Sequence, residues 1–224
     1  MRVEFSLLRG AVLILNYRGF NVKLFFNMAS PFVRKVRVFA RETGLAGNIE
    51  EIVTTVSPVQ ENASLAQANP LAKIPALVRD DGTTLFDSPV ICEYLDSLHS
   101  GRKLFPATGP ARWTALRLQA AGDGILDAGI LCRYESAVRP KEFQWPGWVA
   151  GQKMKWHGGL DLLEREAGTL DGEPTIGGIT VGCTLGWLDF RYGDDDWRKN
   201  RPQLTRWYEK FSARPSMQAT IPSA

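Results

Sequence analysis

Three short sequences in the first hundred residues carry the residue types that could hold a small charged ligand. Ser30-Pro31 stands where an apolar run hands over to a helical pattern, with serine a good N-cap and proline favoured at the first helical position. A hydroxyl and the first free backbone N–H groups then face one point, which favours an anion; a plain helix cap is the other reading. Ile74-Pro75 opens a short apolar run. A cis bond there would turn the Ile74 backbone outward to pair with an extended, peptide-like ligand, whereas a trans proline would merely begin a strand. Asp87-Ser88-Pro89 repeats the cap pattern. Its N–H groups and hydroxyl suit a carboxylate and Asp87 suits an ammonium, the two charges of an amino acid's α-carbon end, or the pair is again a structural cap.

Other candidates read more simply. Asp123 and Asp127, four apart on one helix face, are expected to be a solvated or interface pair, although a carboxylate there could reach a ligand's amino group. Arg34, Arg37 and Arg41 read as a solvated helix face with Glu42 nearby. Asp194-Asp195-Asp196 lacks the rest of a calcium-loop pattern and reads as a turn at a helix end. His99 and His157 have no matched partners in sequence. Tyr134, Phe143, Trp145, Trp148 and Trp187 could line an apolar pocket, or be core. Cys92, Cys132 and Cys183 are far apart and form neither a CxxC pair nor a zinc-ligand spacing, which suits a reduced, cytoplasmic setting.

The elements that must position these groups follow from hydrophobic period. Val22-Lys23-Leu24-Phe25-Phe26 is a buried strand, and Phe32, Val33, Val36, Phe39 and Ala40 repeat at helical spacing until Gly44. Strands follow at 49–55, 74–79 and 83–86, the last two joined by Asp80-Asp81-Gly82, with a short helix at 63–68 and a longer one at about 89–98. The Gly- and Pro-rich stretch 100–110 has no period and marks a boundary. Beyond it no strand pattern returns, and all seven tryptophans lie there. Helical stripes run through Trp113, Leu116 and Ala120, through Val149, Trp156, Leu160, Leu163 and Ala167, and through Val181, Leu185 and Leu188. An α/β half is therefore followed by an all-α half: an extension over 1–21, an α/β domain over 22–99, a linker over 100–112 and a helical domain over 113–224.

The 224 residues, 44% hydrophobic and 23% charged, can bury a core of ordinary size and exclude disorder and collagen-like repeats. A net charge of +3 is too small for a groove that tracks phosphates, which disfavours nucleic acid as the main partner. The early run Ala11-Val12-Leu13-Ile14-Leu15 is far below the roughly 20 residues that span a bilayer, and no secretory cleavage site follows it. The chain is expected to be cytoplasmic and without membrane or metal.

Taken in order, Ala29-Ser30-Pro31-Phe32-Val33-Arg34-Lys35-Val36, Asn69-Pro70-Leu71-Ala72-Lys73-Ile74-Pro75-Ala76-Leu77 and Phe86-Asp87-Ser88-Pro89-Val90-Ile91-Cys92-Glu93-Tyr94-Leu95 resemble the glutathione S-transferase superfamily, in particular its bacterial YibF-like type. In the second half Ala121-Gly122-Asp123-Gly124-Ile125-Leu126-Asp127-Ala128, Arg133-Tyr134-Glu135 and Val181-Gly182-Cys183-Thr184-Leu185-Gly186-Trp187-Leu188-Asp189-Phe190-Arg191 are similar to the same group. The resemblance covers the chain from Val22 onward. It implies an N-terminal thioredoxin-like domain before a C-terminal helical bundle, with glutathione as co-substrate and a homodimer as the assembly. It implies that Ser30 faces the glutathione sulfur, that Ile74 binds the cysteinyl backbone and that Asp87 and Ser88 hold the γ-glutamyl end, with Phe32, Lys73 and Pro75 completing the site. Tyr134 and Trp187 would border a pocket for the second substrate.

Serine at the sulfur suits thiolate activation, because a hydroxyl donor and a positive helix end lower a thiol's pKa, and serine cannot form a mixed disulfide. The expected activity is conjugation of glutathione thiolate to a small hydrophobic electrophile. The alternatives are a non-catalytic glutathione-transferase-like binding or stress-regulatory protein and a glutathione-dependent isomerase or dehalogenase. Two departures from the family pattern stand out. Thr175 is followed three residues later by Gly178 where the capping box has Asp, and residues 1–21 have no family counterpart, being an over-called start of translation or a disordered tail.

Overall fold

Val22–Phe26 (β1), buried at every residue but Lys23, is an interior strand of a four-stranded sheet. The computed structural model describes residues 21–223, so expectations for the preceding extension fall outside the described residues. Strand order is β2-β1-β3-β4, with Ile49–Val53 (β2) parallel to β1 and Ala76–Val78 (β3) and Thr84–Leu85 (β4) antiparallel. A parallel pair needs a crossover, which Pro31–Glu42 (α1) supplies. Ala63–Ala68 (α2) packs on β3, and Ser88–Ser97 (α3) packs on both α1 and β3. The three later strands are shorter than their apolar runs. The residues at their ends leave the ladder to form the loops that border the site.

From Gly109 onward the described chain is helical. Gly109–Ala137 (α4), Pro146–Arg165 (α5), Ile176–Arg191 (α6), Pro202–Ser212 (α7) and Pro215–Gln218 (α8) follow. Helix α4 begins at Gly109, inside the stretch expected to be linker. Helix α6 is buried along nearly its whole length, as an all-round apolar helix must be, and it packs on both α4 and α1. It thereby joins the helical layer to the α/β layer.

Two sequence expectations fail because α1 and α4 have more than one neighbour. The stripe Trp113, Leu116, Ala120 is not the buried face of α4: Trp113 is 67% exposed, and Ala115, Leu118, Gln119 and Gly122 go inward instead. The arginines of α1 do not form a solvated face either. Arg34 is 4% exposed and Arg37 8%, because α1 is covered by α3, α6 and α8 as well as by the sheet.

Candidate active site between the two layers

The turn between β1 and α1 is braced at each polar group. Ala29 N–H donates to the Asn27 side-chain oxygen (2.8 Å), Ser30 N–H to Asn27 C=O (3.2 Å), and Asn27 Nδ2 to Thr54 C=O across the sheet (3.4 Å). From the helical layer, Trp187 Nε1 donates to Ala29 C=O at 3.2 Å. Ser30 then caps α1, its Oγ accepting from Val33 N–H (3.3 Å) and its carbonyl from Arg34 N–H (3.0 Å). Pro31 has no N–H, so the Ser30 hydroxyl proton and the Phe32 N–H are the donors that this turn leaves for a ligand.

The Ile74-Pro75 bond is cis. Buried Asn69 shapes the approach, donating to Lys73 C=O (2.8 Å) while accepting from Leu71 N–H (3.0 Å). Because Phe25 pairs with Ala76, Pro75 lies at the end of β1 from which the Ser30 turn departs. Ile74 makes no backbone hydrogen bond among the described residues, so both of its polar groups remain for an added strand. At the head of α3, Ser88 is buried and Asp87 exposed, with Asp87 C=O accepting from Ile91 N–H (3.0 Å).

Facing these groups across the layers is a charge cluster. Lys35 of α1, wholly buried, donates to both oxygens of Asp123 on α4 at 2.6 and 2.8 Å. Burial pushes the Asp123 carboxyl up from its ordinary range against the pull of Lys35, and Asp127 and Asp87 add to the rise. Asp127 is likewise pushed up, first by desolvation in the cleft, with Lys73 opposing and Asp87 adding. Asp123 is therefore a half-buried ion-pair partner across the layers, its side chain 19% exposed, and not a freely solvated residue. Lys35 stands among Phe32, Val33, Val36 and Phe39 on α1, and nothing local named its partner 88 residues away.

The aromatic candidates separate. Trp187 is buried at the turn and rests on Gly129 of α4, while Tyr134, Phe143, Trp145 and Trp148 are exposed. Sequence reading missed Tyr192, whose ring meets Trp187 edge-on at 5.7 Å and whose hydroxyl donates to Gly129 C=O at 2.7 Å. His157 and His99, unmatched in sequence, pair with Asp195 and Asp96 at 3.0 and 3.1 Å. The 194–196 acidic run sits in the turn after α6 as expected, Asp195 also binding Lys153 at 2.6 Å. All three cysteines are buried and free; burial raises the thiol of Cys92 and takes that of Cys183 to about 11. Among the described residues no His, Cys, Asp and Glu cluster could hold a metal, and no helix is long and apolar enough to cross a membrane.

The family model of the glutathione S-transferase N-terminal domain matches residues 29–98, and that of the C-terminal domain residues 146–210. The chain belongs to the glutathione S-transferase superfamily. It is 33% identical over 205 residues to the uncharacterized GST-like protein YibF of Escherichia coli K12, covering 90% of this chain and 98% of that protein. A glutathione transferase family member from Pseudomonas fluorescens Pf-5, crystallised with bound glutathione, is 47% identical and superposes with a TM-score of 0.90 over 91% of this chain and all of that one. A second structure from that organism, with bound S-(propanoic acid)-glutathione, is 46% identical with a TM-score of 0.85 over the same shares. The strand-then-helix architecture of this family member is thus the transferase fold, a thioredoxin-like sheet domain followed by a helical domain.

Proposed function

We propose that the protein is a glutathione transferase that conjugates glutathione thiolate to a small electrophile. The observation that carries this reading is the meeting, at one end of β1, of a serine-capped helix start, a hydrogen-bond-free Ile74 backbone before a cis proline, and the Asp87-Ser88 helix start. Glutathione has a sulfur, a peptide backbone and an amino-acid end in that order, and the three elements match them one to one. Ser30 donates its hydroxyl proton to the thiolate while Oγ still accepts from Val33 N–H, and the helix N-terminus adds its positive end, so more nucleophile exists at neutral pH. Phe32 N–H is the second donor at the sulfur. Ile74 pairs with the cysteinyl backbone beside Pro75, Lys73 flanks that segment, and Ser88 with the α3 N–H groups takes the γ-glutamyl carboxylate. Its ammonium lies toward Asp87, where raised carboxyls at Asp123 and Asp127 gain from a cation.

The relative's complex with a glutathione thioether supports a cleft wide enough for a substituent on sulfur. Trp187 borders that side, and Tyr134 sits on the exposed flank of α4 nearby in sequence. A cytoplasmic homodimer with residues 22–99 and 113–224 as its two domains completes the reading. The test is calorimetric glutathione binding together with turnover of chlorodinitrobenzene. Binding with turnover supports a transferase, binding without turnover of any electrophile favours a glutathione-binding regulator, and absence of binding overturns the assignment.

A further inference from the structure

Helices α4 and α6 meet in layers, and the layer beyond Trp187 has an unusual composition. Gly129 on α4 supports Trp187 on α6, whose indole reaches Ala29 in the sulfur turn. One turn further along each helix stand Arg133 and Arg191. Their neighbour Tyr192 is tied back to Gly129 C=O. The sulfur turn touches this region through Ala29 C=O, which accepts from Trp187 Nε1 one helical turn before Arg191.

Among the described residues neither guanidinium has a counter-ion: neither makes an ion pair or a side-chain hydrogen bond, and Arg191 Nε is buried without a partner; its guanidinium only covers the Phe190 ring at 4.0 Å. The acids nearby are committed elsewhere, Asp189 to Arg198 (2.5 Å) and Trp197 (2.7 Å), Asp195 to Lys153 and His157. Desolvation lowers the Arg191 pKa, Arg133 lowers it further by repulsion, and Tyr192 opposes weakly, so an anion between the two arginines would relieve an existing cost. Two guanidinium groups on the turns of α4 and α6 that follow the Gly129–Trp187 contact suit a carboxylate, which each can grip in bidentate fashion.

We infer that Arg133 and Arg191 recognise an acidic group on the second substrate, so that the electrophiles taken are small carboxylic acids such as α-halo acids. This rests on the glutathione-transferase reading and narrows its small electrophile to an anionic one, in place of the hydrophobic one expected from sequence. In the reaction the thiolate sulfur forms a bond to the α-carbon, the carbon–halogen bond breaks, and halide leaves with its electron pair. The carboxylate stays on the arginines and is unchanged.

The test compares calorimetric binding of S-(carboxymethyl)glutathione and S-(carbamoylmethyl)glutathione, which match in size and differ by one charge, to the full chain. The acid is expected to bind at least tenfold tighter, and Arg191→Met or Arg133→Gln to remove most of that ratio while Arg191→Lys retains part of it. Equal affinity of wild type for the two thioethers overturns the inference even where both bind well, which leaves the transferase reading standing. A loss in the variants that is the same for both thioethers and for glutathione also overturns it, because the arginines would then serve glutathione itself. Failure of all three ligands to bind wild type overturns both readings together.

Discussion

At Ser30 one oxygen has two tasks. Its lone pair holds Val33 N–H at 3.3 Å, a long bond that leaves the hydroxyl proton free to turn toward a ligand. If the hydroxyl dominates, Ser30→Ala raises the pKa of bound glutathione toward that of the free thiol and cuts turnover while affinity changes little. An ultraviolet pH titration of the thiolate band in the complex reads this directly, and a wild-type curve with wild-type turnover would reduce the serine to a cap. Ser88 is a different case, being buried where a charged carboxylate is expected. Ser88→Ala should weaken glutathione binding by about 1–3 kcal/mol, the usual cost of leaving a charged group short of a partner. Calorimetry giving the wild-type affinity would remove Ser88 from the site.

Helix α6 works only because small residues let other groups reach it. An added methyl at Gly129 would lie 2.6 Å from Trp187 Cζ3, too close for either ring or helix to stay in place. Gly129→Ala should therefore displace the indole, break its bond to Ala29 C=O and destabilise the fold by about 1–3 kcal/mol. A thermal melt gives the stability, and because the sulfur turn loses its brace the variant should also lose turnover beyond what the melting shift accounts for. Wild-type activity in a destabilised protein would show that Asn27 alone orders the turn. The Thr175 cap is weak in the way its sequence implied, Gly178 N–H reaching Thr175 Oγ1 only at 3.4 Å, and Ile176 N–H compensates by donating to Leu104 C=O at 2.9 Å. A backbone bond to the segment between α3 and α4 replaces part of the missing capping box.

The two layers of the molecule are held by charged contacts at both ends of α1. Near its start Lys35 meets Asp123, and at its end Glu42 accepts from Arg214 Nε and Nη2 (2.9 and 2.8 Å) and from Ser216. Lys35→Met leaves a half-buried carboxylate unpaired and should cost about 1–3 kcal/mol, whereas Lys35→Met with Asp123→Leu should regain most of it. Denaturant unfolding of the three proteins checks this, and additive losses would mean that the pair does not couple the layers. At Glu42 burial alone would raise the carboxyl, but hydrogen bonds from Arg214 and Ser216 overcome it and hold the pKa below the ordinary value. A depressed folded-state pKa gives stability that is present above the unfolded value, about 4.3, and is lost as pH falls through the folded one. The melting temperature of wild type should accordingly drop below that pH more steeply than that of Glu42→Gln, and parallel curves would remove Glu42 from the acid sensitivity.

Much of this could be read in one dimension because its causes are local. Serine and proline set the start of α1, hydrophobic period separates the strand-bearing half from the helical half, and the order of three short motifs outlines a peptide-shaped site. Residues whose environment comes from distant chain could not be read so. Arg34 and Arg37 look solvated beside Glu42, yet α6 and α8 cover the helix that carries them. Trp113 fits a stripe and faces outward, because the 29-residue α4 turns its buried side toward α5 and α6 rather than toward a sheet. Lys35 finds Asp123, and Arg133 finds Arg191, only when α1, α4 and α6 pack, and charge in a cleft depends on that packing since desolvation acts through space and not along the chain.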